Sequence, residues 1–193
     1  GTDGWRDLIA EDFNFGNVRL VAQAIAGYLR ECGLSSQGIV IGYDNRFLSE
    51  QFAAAVAGVM AGNNINSWLT VDATPTPVTA YAVKAMQAGG AVMITASHNP
   101  PEYNGIKFIP EYAGPATTEI TKAIERNLEG LSEEEVCYLS PDTSREQGLI
   151  RDLDAKPLYL AHLQSLLNYR FIYRGSMKII FDPMWGAGRG YLE

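Results

Sequence analysis

Gly38-Ile39-Val40-Ile41-Gly42-Tyr43 is a short apolar run closed by the polar triplet Asp44-Asn45-Arg46. A run of this length, rich in β-branched residues and bounded by turn formers, reads as a buried strand. On both sides of it the apolar residues return at helical spacing. Before it, Val18, Val21, Ala22, Ile25, Tyr28 and Leu29 share one face of a helix over 17–32, with Gly33 as terminator. After it, a helix from Ser49, a residue type suited to the N-cap, to Gly62 carries Phe52, Val56, Val59 and Met60 on one face. The alternation continues with a strand over 67–71, a helix opened by Thr76-Pro77 and running to Gln87, and a strand over 90–94. This pattern predicts an α/β fold, a mostly parallel sheet sandwiched by helices.

Further along, Ile106-Lys107-Phe108-Ile109 predicts an edge strand, and a helix is expected from Thr117 to Leu128. Residues 130–150 hold the acidic run Glu133-Glu134-Glu135, read as a solvated face, and the turn chemistry of Ser140-Pro141-Asp142. We read this stretch as a domain junction, dividing the chain into residues 1–145 and the start of a second, similar unit over 146–193. That second unit is expected to open with a helix over 155–169 and a strand, Met177 to Phe181. Gly1 falls inside what reads as a functional loop, and Glu193 arrives as another helix begins, so the chain reads as a piece of a longer protein.

Composition narrows the function classes. The chain has 193 residues, 47% hydrophobic and 19% charged, enough to bury a substantial core. A net charge of −7 with 15 Lys+Arg argues against sequence-independent nucleic-acid binding, which rests on neutralising phosphates. No apolar run approaches the roughly 20 residues needed to span a bilayer, and residues 1–15 lack a basic-then-apolar leader. Cys32 and Cys137 have neither metal-ligand spacing nor the numbers for a disulfide framework, so a cytoplasmic setting is expected.

The chemistry concentrates after the strand 90–94. Thr95-Ala96-Ser97-His98-Asn99-Pro100 places a hydroxyl and an imidazole in a loop, and Asn104-Gly105-Ile106-Lys107 adds an amide and an amine. Loops at strand ends are where α/β proteins hold ligands. A hydrolase pair is a weak reading. Adjacent residues in an extended chain point to opposite sides, His162 lies among leucines in a late helix, and no G-x-S-x-G elbow occurs. Ser97 as a phosphoryl carrier fits better, since transfer needs cations around the phosphoryl oxygens and the chain supplies Arg6, Arg46, His98 and Lys107. Lys107 is a candidate proton shuttle as well. Gly186-Ala187-Gly188-Arg189-Gly190 has the spacing G-x-G-x-G and not G-x-G-x-x-G, which leaves a dinucleotide site a distant alternative.

T-A-S-H-N-P at Thr95–Pro100, with G-T-D-G-W-R at Gly1–Arg6 and N-G-I-K at Asn104–Lys107, resembles the α-D-phosphohexomutase family of phosphoglucomutases and phosphomannomutases. Asp44-x-Arg46 and Phe181-Asp182-Pro183-Met184-Trp185-Gly186-Ala187-Gly188 resemble further family patterns, in family order. The resemblance implies that Ser97 is phosphorylated and exchanges its phosphoryl group with a hexose phosphate through a hexose 1,6-bisphosphate. It implies Lys107, Arg6 and His98 as catalytic partners, Arg46 and Asn104 at the substrate, and Mg²⁺ held through the phosphate on Ser97. For Arg46, a pairing with Asp44 that organises the loop is an equal expectation. Asp7 stands where the family often has glycine, and no D-G-D-x-D-R metal loop or sugar-selecting loop occurs. These 193 residues alone are therefore expected to be inactive, with the hexose unspecified. The alternative is a non-catalytic module that binds a phosphate-bearing ligand.

Overall fold

The computed structural model describes residues 4–168 and 178–192. Gly1 to Asp3 of the N-terminal motif, residues 169–177 and Glu193 lie outside the described residues. Six strands form one sheet: β1 (Trp5–Leu8), β2 (Ile39–Tyr43), β3 (Ser67–Thr70), β4 (Gly90–Ile94), β5 (Tyr103–Pro110) and β6 (Ile150–Leu153). Their order is β1-β5-β4-β2-β3-β6. The middle run β4-β2-β3-β6 is parallel, as the alternation predicts. β5 runs antiparallel to β4, and β1 antiparallel to β5, so the sheet is mixed.

Helices cover both faces. α1 (Phe15–Glu31), α2 (Ser49–Gly62) and α4 (Thr118–Leu128) lie on one side, with the short α5 (Pro141–Glu146) packed on α2. There Val18, Ile25, Leu29, Phe52, Val56 and Met60 meet Ile39, Ile41, Val92, Ile94 and Phe108 in the larger core. α3 (Thr76–Met86) and α6 (Lys156–Leu166) cover the other side, where Val78, Ala82 and Val83 pack on Val40, Ala91, Met93 and Leu153. Phe13 and Phe52, both essentially inaccessible, meet edge to face at 4.8 Å and 82°. Aromatic pairs prefer this geometry, in which a positive ring edge meets a negative ring face. Trp5 extends the stack onto Phe13 at 4.9 Å and so anchors β1 to the core.

Several expectations are corrected. Ile106–Ile109 is not an edge strand: β5 is eight residues long and lies between β1 and β4. Trp5–Leu8, for which no strand was expected, is an edge strand, because β5 offers it a free ladder. Ser49 does not cap α2. Its hydroxyl is drawn to Asp44 Oδ1 at 2.9 Å, and Leu48, at φ 60°, takes the N-cap position. Asn14, unrecognised from the pattern, caps α1 by accepting from the Asn17 amide at 2.9 Å. The acidic run is exposed as expected, but Ser132 and Glu135 close it into a capping box.

Residues 136–150 return over α2, where a Cβ on Gly58 would lie 2.6 Å from the Leu139 carbonyl. Only glycine permits that approach, and Leu139 N donates to Gly58 O there at 3.0 Å. The path delivers β6, which the sequence pattern does not predict, to the open edge of β3. α6 then packs on α3, with His162 stacked on Tyr81 at 4.4 Å. The strand expected over Met177–Phe181 is not formed across its described part, 178–181, which has no ladder partner among the described residues. A lone strand leaves its backbone groups to water and gains nothing from extension. Ile179 and Ile180 are accordingly exposed.

Candidate functional site

The Ser97 loop leaves the C-terminal end of β4, beside the end of β2, on the rim where parallel strands present their loops. Thr95 and Ala96 are buried and hold the base of the loop. Ser97 and His98 are exposed. Ser97 adopts φ 57°, in the left-handed region that a non-glycine residue rarely visits, and its amide donates to Thr95 Oγ1 at 3.0 Å.

That conformation overturns one expectation. Ser97 and His98 do not diverge as neighbours in an extended chain would: Ser97 Oγ lies 3.2 Å from His98 Nδ1 and 3.5 Å from Nε2. The reversal at Ser97 folds the imidazole back over the hydroxyl. A group that can take or return a proton thus stands beside the oxygen that would carry phosphate.

Arg6 and Lys107 share one face of the sheet. Arg6 stands opposite Gly105 across the β1–β5 ladder, and Lys107 opposite Met93 across β5–β4. A Cβ on Gly105 would meet Thr95 O at 2.6 Å, Arg6 Cγ at 2.8 Å and Trp5 O at 2.9 Å. Glycine here lets the Arg6 stem cross β5 next to the base of the Ser97 loop. Both cations are half-buried.

Arg46 and Asn104, expected at the substrate, are both turned inward. Arg46 Nη1 donates to the carbonyls of Pro100 (2.8 Å) and Tyr103 (2.9 Å), and Nη2 to those of Ser97 (2.9 Å) and Asn99 (2.6 Å). Its Nε faces Asp44 Oδ2 at 3.5 Å. Asn104 is fully buried. It donates from Nδ2 to Ser49 Oγ at 2.9 Å, and its Oδ1 accepts from the Gly105 amide at 2.8 Å. Ser49 Oγ in turn donates to Asp44 Oδ1. These residues form the floor beneath the loop. The sequence located Asp44-x-Arg46, but Ser49 as the link between Asp44 and Asn104 was hidden by its suitability as a helix cap.

Two other features lie outside this cluster. A mainly apolar cavity of about 450 Å³ lies on the opposite face, lined by Trp5, Val21, Ile25, Phe108 and Ile124 among others. The glycine-rich segment 186–190 lies among turns, and described residues 178–185 before it form no strand. No three His, Cys, Asp or Glu side chains group to hold a metal among the described residues. None of the helices there is long and apolar enough to cross a membrane.

Comparisons with known proteins place the sequence and the fold in one family. Residues 1–135 match the family model "Phosphoglucomutase/phosphomannomutase, alpha/beta/alpha domain I". A phosphoglucomutase of Staphylococcus epidermidis is 31% identical over 172 residues, covering 88% of this chain and 31% of that protein. A phosphoglucomutase of Komagataeibacter xylinus is 30% identical, covering 100% of this chain and 37% of its own. The crystal structure of a Thermus thermophilus protein, assigned as a phosphomannomutase, superposes with a TM-score of 0.87 at 35% identity, covering 99% of this chain and 41% of that one. The chain spans about a third of the length of the curated relatives it matches. By its motifs, its sheet and the extent of the match, the chain belongs to the phosphoglucomutase/phosphomannomutase family and carries that family's α/β/α domain I.

Proposed function

We propose that this chain is the phosphoryl-carrying part of a longer mutase that moves phosphate between the C1 and C6 oxygens of a hexose, with Ser97 as carrier. The observation that carries the reading is the exposed Ser97 hydroxyl with His98 Nδ1 at 3.2 Å, on the loop that the family motif occupies. In the first half-reaction the bond between phosphorus and Ser97 Oγ breaks, one to a free sugar oxygen forms, and Ser97 Oγ takes up a proton. The sugar hydroxyl gives up its proton to a base, for which Lys107 and His98 are the candidates. The second half-reaction returns the other phosphate of the bisphosphate to Ser97. Arg6 and Lys107 supply positive charge on the face next to the loop, where the transferring group gathers negative charge.

Mg²⁺ enters neither half-reaction as written. The described residues offer no metal cluster, and the nearby Asp44 carboxylate is committed to Arg46 and Ser49. A metal held through the Ser97 phosphate would need further ligands from elsewhere in the longer protein. A cytoplasmic setting and a hexose phosphate substrate belong to the same proposal. So does the division at residue 145, with β6 hydrogen-bonded into the sheet of the first unit.

The test is intact-mass analysis of the full-length protein containing this chain, after incubation with a hexose 1,6-bisphosphate. One added phosphate, lost in Ser97→Ala, is the expected result. Absence of label on the wild-type protein overturns the carrier role. Binding of the bisphosphate without any transfer would return the reading of a non-catalytic module.

A further inference from the structure

A guanidinium has five N–H donors in a planar fork and no acceptor. At Arg46 four are hydrogen-bonded and the fifth is in an ion pair. Four point at the carbonyl oxygens of Ser97, Asn99, Pro100 and Tyr103, and the fifth faces Asp44. The four carbonyls span the whole loop from β4 to the start of β5 and converge on this one group. A short loop whose carbonyls turn inward needs a positive centre, and here a side chain from a different strand end supplies it. The Arg46 side chain is only 14% exposed, and Asp44 holds it from below, accepting at Oδ1 from the Arg46 amide (3.0 Å) and from Ser49 Oγ.

We propose that Arg46 is a positioning residue of the Ser97 loop and not a substrate ligand. It sets the left-handed conformation at Ser97 that turns Oγ outward against His98. The role rests on the carrier reading for what the Oγ does, but not for how the loop is held. Asp44, Ser49 and Asn104 complete the device by fixing the guanidinium to α2 and β5. Arg46 thus acts through Ser97. A lysine could not replace it, because a single ammonium with three donors cannot bond four carbonyls spread around a plane.

The test uses the full-length protein with Arg46→Ala and Arg46→Lys. In both, kcat and the rate of phosphate uptake onto Ser97 are expected to fall on the order of 100-fold, the usual cost of displacing a reacting group by about 1 Å, while KM for the sugar phosphate stays near the wild-type value. The backbone amides of Ser97, His98, Asn99, Glu102 and Tyr103 are expected to exchange faster, with the β2, β3 and β4 amides unchanged. Millimolar guanidinium, filling the emptied carbonyl ring, is expected to restore part of the kcat of Arg46→Ala and none of that of Arg46→Lys. A rise in KM with kcat intact would make Arg46 a ligand contact and overturn the proposal, and so would unchanged exchange over 97–103. Should Arg46→Ala not fold, Arg46→Lys keeps the stem and charge and gives the same readouts. A wild-type protein that takes no phosphate on Ser97 defeats the carrier reading alone, because the exchange experiment still reports on the loop.

Discussion

Asn104 Nδ2 donates to Ser49 Oγ at 2.9 Å, joining the start of β5 to the first turn of α2 across 55 residues of chain. Both residues are fully buried. Asn104→Ala would leave the Gly105 amide without its acceptor, while Ser49 Oγ keeps its bond to Asp44. Each buried polar group left unpaired costs about 1–3 kcal/mol. The variant is expected to lose stability in that range by urea titration and to expose the Ser97 loop to proteolysis. A denaturation midpoint equal to wild type would show that the bond contributes little.

Gly105→Ala is expected to damage the site through the backbone. The new methyl would meet two carbonyl oxygens, of Thr95 and Trp5, at 2.6 and 2.9 Å. Neither can swing aside as a flexible side chain could, so β1, β5 and the loop base must spread. Overpacking of this kind costs about 1–3 kcal/mol. Phosphate uptake at Ser97 should fall as well, since the Arg6 stem crosses at the same point; normal uptake would refute the link.

Ser97→Ala, by contrast, should leave stability within about 0.5 kcal/mol of wild type, the usual range for an exposed position. Among the described residues its hydroxyl lies within hydrogen-bond distance of the His98 ring. Thermal unfolding matching wild type, together with complete loss of phosphate label, is the expected pair of results. A large stability loss would mean that the hydroxyl holds the loop.

Phe52→Ala should cost about 3–5 kcal/mol, the usual penalty for deleting a buried phenyl ring that its neighbours cannot refill. Phe52 touches both Phe13 (4.8 Å) and Phe15 (4.5 Å), so its loss opens the core at the start of α1. A shift in urea midpoint at constant slope would assign the loss to the folded state.

Alkaline pH should weaken the fold by a definite route. Burial, with Glu50 and Asp72 nearby, pushes the Tyr43 phenol up from 10.0 to about 12. Burial, with Cys32 beside it, pushes Tyr28 up as well. A raised folded-state value means that the folded protein prefers the neutral phenol. For Tyr43 that stability is fully present below about pH 10 and is lost as pH rises through 12. The urea midpoint should decline across this window, and less steeply in Tyr43→Phe; an identical decline would exclude Tyr43 as a source.

The parallel centre of the sheet was legible because β2, β3 and β4 are short apolar runs separated by helical spacing. Strands defined by their partners were not. Trp5–Leu8 and Ile150–Leu153 each place two charged residues within four, and only an open ladder on β5 or β3 makes strands of them. The start of β5 was hidden by Asn104-Gly105, a pair that ordinarily signals a turn. Here the amide is a buried tie and the glycine a crossing point for Arg6. Within the site, the serine loop could be read directly from its motif. Arg46 could not be assigned, because residue type does not say where its N–H groups point, and in the structure four of them meet carbonyls of the Ser97 loop.

β1 is four residues long and hydrogen-bonded along a single side, to β5. A short strand at one margin of the sheet is therefore the one that carries the Arg6 guanidinium to the rim beside the Ser97 loop. Fraying at that margin, or the docking of another strand against it, would alter the electric field at Ser97 while leaving the parallel centre untouched. The charge beside the Ser97 loop is in this way tied to how firmly one short margin of the molecule stays zipped.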